Sequence, residues 1–459
     1  MKDPRSIPVA RGDELEVTVD ALGDGPDGIA HVGGYVVLVP GVLPGERALV
    51  RMTSAARKFG RADLLEVVET TPERTPPGCA HFLACGGCHR RHRQYAAQLT
   101  DKQARLARAA KFAIGDAAIE VRPTIPAVPP HGHRHKVVLH LRNTRDGGLE
   151  GCFHRLRSPE LEAVHECPAS DPLAWDIANE AIDALRDLPH GAWDPDFAPN
   201  DLLRTVLVRT TTAGQAHLVI VARQPLVPDL HRILGRLHRA GATTISVNAN
   251  AGEFSQLLGP RTTIVSGPQR IEERIGDVRY LVSPTAFFQT SPQGAAHLVR
   301  LAGEWLAPGK DDVVADLYCG GGLLTLPLAR RARSAFGVER NRDSVQDATA
   351  AASANGITNA HFRSDDVEAW LSGCRSGRTP RPALVAMDPP RDGLAPGVVR
   401  ELAALRPRRI AYVSCDPETL QRDLRELHAA GFAARSITGV DMFPMTSHVE
   451  SVALLEAAR

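Results

Sequence analysis

From about residue 276 onward, short apolar runs alternate with helical stretches, and that alternation limits the fold more than any other feature of the chain. Residues 312–317, 335–339, 361–366, 383–387 and 409–413 each read as a strand, the last two as buried ones, with helical composition between them. Strands separated by helices pack as a parallel sheet covered on both faces. The fold class expected is therefore α/β, with a Rossmann-like C-terminal domain. Open sheets of this kind place ligands and chemistry at the carboxyl ends of their strands. Two ends stand out, Asp388-Pro389-Pro390-Arg391 and Ser414-Cys415-Asp416-Pro417, where Pro417 forbids the strand to continue. They put a carboxylate and a thiol at neighbouring strand ends. A free cysteine is more often a small buried hydrophobe, so the assignment of Cys415 depends on the rest of the chain.

At 459 residues the chain exceeds one ordinary domain, and two or three are expected. Residues 1–70 carry four or five short β-type runs, among them 15–19, 35–39, 47–51 and 62–68, divided by glycine turns at 23–28, Gly33-Gly34 and Pro40-Gly41. That spacing suggests a small OB-like barrel. Residues 71–275 hold a cysteine cluster, strands at 137–141 and 203–209, a hairpin partner at 216–221, and a helix with a basic face at 94–112. Residues 276–459 form the parallel α/β domain. The net charge of +1 gives no global signature of a polyanion partner. No apolar core follows Met1-Lys2-Asp3-Pro4-Arg5 and no apolar run is long enough to span a membrane, so a cytoplasmic, reducing location is expected. There, eight cysteines point to ligands, nucleophiles or core residues rather than disulfides.

The run to Asp316, the turn Cys319-Gly320-Gly321-Gly322 and the helix after it suit a nucleotide. Glycines let the backbone come close and leave helix amides free. The turn lacks both a Walker lysine and the spaced glycines of a dinucleotide fingerprint. Glu339, about 20 residues on, could accept from both ribose hydroxyls. With Asp366 and Asp388 on further strand ends, the set argues for adenosine binding.

Cys79, Cys85 and Cys88 supply three soft ligands on one loop, with Gly86 and Gly87 letting it wrap closely. Cys152 and Cys167 are the candidates for a fourth. Cys167 is favoured, because its Cys167-Pro168 step resembles one seen beside iron–sulfur ligands. Zinc accepts four thiolates equally well but usually pairs Cys-x2–4-Cys knuckles, of which there is one here, and both readings stay open at this point. His89-Arg90-Arg91-His92-Arg93, then Lys102, Arg105, Arg108 and Lys111, and a second group His133-Arg134-His135-Lys136, form basic runs. A charge run is usually a solvated face, but beside a metal loop and an oligonucleotide-type barrel, phosphate contact is expected.

These residues carry a family resemblance. The stretch from Asp316 to Gly322, Gly337-Val338-Glu339, Asp388-Pro389-Pro390-Arg391, Ser414-Cys415-Asp416-Pro417, Asp441-Met442-Phe443-Pro444 with His448-Val449-Glu450, and the upstream Phe287-Phe288-Gln289 together resemble the RNA uracil-5-methyltransferases. The resemblance implies that Gln289, Tyr318, Gly320, Glu339, Asp366 and Asp388 bind S-adenosylmethionine. It implies that Phe287 packs on the target base; Arg134 and Lys136, in the second basic run, are expected to touch the RNA. It implies further that Cys79, Cys85, Cys88 and Cys167 hold a 4Fe–4S cluster, and that the barrel is a TRAM domain. Members with barrel and cluster act on ribosomal RNA, so a uridine of 23S ribosomal RNA is the expected target and a monomer the expected form. Relatives acting on transfer RNA generally lack both features. Two positions depart from the pattern: Leu323 stands for a usual asparagine, and Met445 for a common histidine.

The chemistry explains why such a site needs a thiol and a carboxylate. Carbon 5 of uracil is too weak a nucleophile to take a methyl group from a sulfonium. Thiolate addition at carbon 6 makes carbon 5 enolate-like, and a base must later remove the carbon-5 proton so that sulfur can leave. Cys415 fits the nucleophile and Glu450 the base; Arg391 or a helix N-terminus is expected to lower the thiol pKa. The target base must be single-stranded or flipped out to be reached. Two other readings compete. Asp388-Pro389-Pro390 is similar to the loop of amino-methyltransferases, which need no thiol and carry an aromatic where this chain has Arg391. An iron–sulfur RNA-binding factor with a degenerate enzyme domain is the other, against which the pairing of Cys415 with Glu450 argues.

Overall fold

The computed structural model describes residues 7–115, 119–126, 129–252 and 256–458; Met1 to Arg5, where the chain was read as carrying no leader, lie outside them. The chain forms two compact units. One comprises Met1–Asp101, Phe153–Glu166 and Phe443–Ser447; the other Lys102–Cys152, Cys167–Met442 and His448–Arg459.

The first unit is built on a closed barrel of Glu14–Leu22, Asp27–Val32, Tyr35–Pro40, Arg47–Ala55 and Phe59–Glu69. Alternate residues point inward, so Val17, Val19, Val37, Val39, Val50 and Met52 fill its core. The second strand begins at Asp27, inside the segment read as a glycine turn. Gly28, inside that strand, has to be glycine, since a Cβ there would stand 2.5 Å from the Val42 side chain.

In the same unit the basic run from His89 to Arg93 is buried, not solvated. Its charges serve the fold. Arg90 donates to the carbonyls of Gly23 and Gly25, each at 2.7 Å, Arg91 to that of Pro77 at 2.7 Å, and Arg93 pairs with Glu73 at 2.5 Å and Asp101 at 2.7 Å. Burial, then the charges of Arg74 and Arg90, push His92 down to about 4, so its ring stays neutral. The expectation of phosphate contact at these five residues is thereby corrected. Met445 also has a structural task here: its backbone turns through φ 65°, its carbonyl accepts from the amides of His89 and Arg90 at 3.0 and 2.9 Å, and its own amide donates to Gln98 at 3.0 Å.

The second unit contains the parallel sheet foreseen from the alternation. Its order is Ala360–Ser364, Ser334–Glu339, Val313–Leu317, Leu384–Met387, Arg409–Ser414, Glu450–Ala457, Phe432–Asp441 and Glu120–Pro126. The first five run parallel; Glu450–Ala457 pairs antiparallel with both its neighbours, and Glu120–Pro126 runs parallel to Phe432–Asp441. That edge strand was not expected from the sequence: it precedes the domain by about one hundred and fifty residues and carries two prolines, which an edge tolerates. Leu106, Ala110 and Ala113 of the helix Tyr95–Ile114 join the core beneath this end of the sheet. A second sheet in this unit runs through Arg261–Ser266, Thr244–Ala249, Ala216–Ala222, Leu203–Thr210, Lys136–Asn143 and Leu149–His154. The hairpin expected between its third and fourth members is present. Among the described residues no helix is long and apolar enough to cross a membrane.

Candidate active site

Register brings the expected residues to one rim. Met387 lies beside Leu317 on one side and Tyr412 on the other, so Tyr318, Asp388 and the residues after Val413 follow at adjacent strand ends. Ser414 lies opposite Ser451 in the antiparallel ladder, and the Ser451 hydroxyl donates to the Ser414 carbonyl at 3.1 Å. One residue further, Cys415 and Glu450 therefore stand opposite each other. Gln289 Nε2 donates to Asp388 Oδ2 at 3.3 Å.

Electrostatics tie the three groups together. Glu450 is buried, and burial followed by the charge of Asp388 holds its carboxyl well above the usual range. Burial pushes Asp388 up to about 7, with the Gln289 hydrogen bond opposing. Cys415 is half-buried, and its thiol is pushed up to about 11 by burial first, then by Glu450, Asp388 and Asp416. The expectation of a lowered thiol pKa is not met, for two physical reasons. Arg391 is turned to Asp416 Oδ2, at 3.3 and 3.4 Å from its Nε and Nη2. The helix Pro417–Ala429 has its first amides taken up by Asp416 Oδ1, which accepts from Glu418 at 2.9 Å and Thr419 at 3.2 Å.

The nucleotide side is formed by the turn after Val313–Leu317. Tyr318 adopts φ 62°, a conformation uncommon outside glycine and a mark of functional turns. Gly320 and Gly322 also have positive φ, at 50° and 83°. Glu339 accepts from the Gly320 amide at 3.2 Å through Oε2 and from the Asn341 amide at 2.8 Å through Oε1. Each oxygen keeps capacity for a second donor, as two ribose hydroxyls require. Gly337 has to be small, since a Cβ would meet Phe362 at 2.6 Å and the Cys319 sulfur at 2.8 Å. Asp366 caps the helix Val367–Arg375 through the Ala369 amide at 3.1 Å and pairs with Arg340, so both of its oxygens already have partners. Leu323 lends its carbonyl to the Tyr280 hydroxyl at 2.9 Å.

Phe287 is 67% exposed while its neighbour Phe288 is buried against Tyr280, so one ring anchors the segment and the other is presented. Arg134 and Lys136 are partly buried; burial, then Arg209, pushes Lys136 down to about 8. Sequence reasoning missed Arg209, Asp347 and the Thr325 hydroxyl, which donates to buried Asp316 at 2.5 Å. Their partners are set by strand register or lie across a turn, and no local motif announces either.

The cysteine loop was tested as a cluster site. Cys79, Cys85, Cys88 and Cys167 are all partly exposed and outside any disulfide, and the Gly87 amide donates to the Cys85 sulfur at 3.3 Å, which suits a thiolate. Cys152 is fully buried opposite His140 in a strand and drops out as a ligand. Placement does not follow donor chemistry. Among the described residues no group of three or more His, Cys, Asp or Glu side chains is arranged to hold a metal ion. The structure thus gives the expected cluster no support.

An α/β sheet with this glycine turn, acidic strand ends and terminal antiparallel strand defines a methyltransferase of the S-adenosylmethionine-dependent class. Comparison with known proteins narrows that. The family model for tRNA (uracil-5-)-methyltransferase matches residues 265–458, and that for the TRAM domain matches residues 8–65. An uncharacterized RNA methyltransferase of Halalkalibacterium halodurans is 31% identical, over 98% of this chain and 99% of its own. One from Thermosynechococcus vestitus is 33% identical over 97% of this chain and 98% of its own. The crystal structure of the Pyrococcus abyssi tRNA (uracil-54, C5)-methyltransferase with S-adenosyl-L-homocysteine superposes with a TM-score of 0.76 at 26% identity, covering 96% of this chain and 99% of that one. The chain belongs to the RNA uracil-5-methyltransferase family, and S-adenosylmethionine is its methyl donor.

Proposed function

We propose that the protein methylates carbon 5 of a uridine in 23S ribosomal RNA through a covalent bond between Cys415 and carbon 6 of the base. The observation that carries this is the register of Ser414 with Ser451, which brings Cys415 and Glu450 to the end of one ladder, where Glu450 and Asp388 both act on the thiol. S-adenosylmethionine supplies a methyl group on a positively charged sulfur. Gln289, Tyr318, Gly320, Glu339 and Asp388 hold it, with Asp366 as a further contact. With S-adenosylmethionine bound, its positive charge would draw down the proton affinity of nearby buried carboxyls and of the thiol. Cys415 then loses its proton to solvent and adds to carbon 6; the electrons displaced from the 5,6 double bond let carbon 5 take the methyl carbon as its bond to the sulfonium breaks, and S-adenosylhomocysteine leaves. Glu450 accepts the carbon-5 proton, the carbon–sulfur bond breaks, and the sulfur departs as thiolate. Consumption of the neighbouring positive charge raises the affinity of Glu450 for a proton at the step where it has to accept one. Phe287 stacks on the flipped base, and Arg134 and Lys136 reach its backbone.

A second reading has a specific observation behind it. The transfer-RNA enzyme of Pyrococcus abyssi aligns over 96% of this chain, so domain organisation no longer argues for ribosomal over transfer RNA. Mass-spectrometric mapping of 5-methyluridine in RNA from a deletion strain separates the two: loss from 23S RNA supports the proposal, and loss from transfer RNA alone replaces it. A 4Fe–4S cluster on Cys79, Cys85, Cys88 and Cys167 is a further part of the proposal, supported by donor chemistry alone. Iron and sulfide analysis of anaerobically purified protein tests it, with about four irons per chain expected and none in Cys85→Ser. Iron-free wild-type protein overturns it.

A further inference from the structure

Phe287 and Gln289 sit on a stretch, residues 283–290, that forms neither helix nor strand. Polar groups from outside hold its backbone at four points and that of Val282, just before it, at a fifth. Asp347, buried on the helix Arg342–Ala354, accepts from the Ser283 amide at 2.8 Å and hydroxyl at 2.6 Å. The His135 amide donates to the Thr290 carbonyl at 2.9 Å. The His217 ring donates from Nε2 to the Val282 carbonyl at 2.8 Å, and burial pushes that imidazole down to about 4, which keeps it neutral. At the centre is Arg209. Its Nη1 donates to the Phe288 carbonyl at 3.2 Å and its Nη2 to the Ala286 carbonyl at 3.5 Å.

Arg209 is an unusual residue to find there. It lies inside a sheet, buried, opposite Lys136 on one neighbouring strand and His217 on the other. Burial lowers its pKa to about 10, so it remains charged at neutral pH. Burying a guanidinium is costly unless its donors are used. Here its two terminal nitrogens reach carbonyls two residues apart, on either side of Phe287, while its Nε is buried without a partner among the described residues; the span suits the planar fork of arginine better than a point-like ammonium. Between the two held carbonyls, the ring of residue 287 is turned out to solvent, and two residues later Gln289 meets Asp388.

We propose that Arg209 is a positioning residue for capture of the target base: by holding the carbonyls flanking Phe287 it fixes that ring outward and Gln289 toward Asp388. The inference rests on the reading of Phe287 as the stacking partner. Arg209 touches neither base nor cofactor, and acts through the backbone it holds.

A double-mutant cycle tests this, with RNA from a deletion strain as methyl acceptor. Arg209→Met is expected to raise the KM for RNA about tenfold, the worth of a lost hydrogen bond to a charged group, while kcat falls by less. Arg209→Lys, which can keep one carbonyl, is expected to recover part of the loss. Phe287→Ala is expected to raise KM similarly, and the double variant to be no worse than Phe287→Ala within twofold. If Arg209→Met fails to fold by circular dichroism, the same cycle is run with Arg209→Lys. An unchanged KM in the folded arginine variant, or losses that multiply in the double variant, would overturn the proposal. An unchanged KM in Phe287→Ala alone would remove its premise, a different failure readable from that one variant.

Discussion

The Cys415 thiol faces two buried carboxyl groups, and the opposition of these charges governs when it can react. With its pKa pushed up to about 11 by burial and by Glu450, Asp388 and Asp416, it is protonated at neutral pH and gains nucleophilicity as pH rises toward that value. Alkylation of Cys415 by iodoacetamide, followed peptide by peptide, is therefore expected to show a midpoint above pH 9. S-adenosylmethionine, being cationic, is expected to lower that midpoint by roughly a unit, and the neutral S-adenosylhomocysteine to lower it less. A midpoint below pH 8 in the protein alone would refute this electrostatic account. Glu450→Gln keeps the size of the side chain and removes its ability to accept a proton. Methyl transfer is expected to proceed once while release slows by about a hundredfold or more, so that a protein–RNA adduct builds up on denaturing gels. Normal turnover without an adduct would assign the base elsewhere.

The elements around the site are set by pairings of very different visibility. The strand ends at Asp388 and Cys415 were legible because apolar runs stop at proline-marked, chemically distinctive residues. The opposition of Cys415 and Glu450 was not, because it depends on the register of Ser414 with Ser451. The edge strand Glu120–Pro126 was hidden for the same reason: its partner lies some three hundred residues further along the chain. The basic run from His89 to Arg93 misled because composition records charge and not burial; its arginines bind carbonyls and carboxylates of their own unit. Lys102 shows the same behaviour. Counted in sequence as part of a positive face, it is buried on its helix and pairs with Asp441 at 2.5 Å, at the end of Phe432–Asp441. Removing one member of a buried pair leaves a charge in a poor solvent, so Lys102→Met is expected to cost roughly 3 kcal/mol. Urea unfolding measures this; a loss under 1 kcal/mol would mean that the aspartate is solvated or otherwise neutralised.

At the scale of the whole molecule, a methyltransferase domain and a TRAM barrel define an enzyme that works on RNA. The family was legible because its residues recur in order along the C-terminal third of the chain. The class of RNA was not, because recognition is spread over surfaces that no local motif marks. The bond proposed between Cys415 and the target base ties these parts together, and a trap for that bond tests it most directly. RNA carrying 5-fluorouridine at the modified position keeps fluorine where a removable proton would be, so an adduct formed by attack at carbon 6 cannot resolve. With S-adenosylmethionine present, wild-type protein is expected to give a stable complex with this RNA on a denaturing gel. Cys415→Ser is expected to give none and to leave normal RNA unmethylated. Methylation by the serine variant at the wild-type rate would contradict the account.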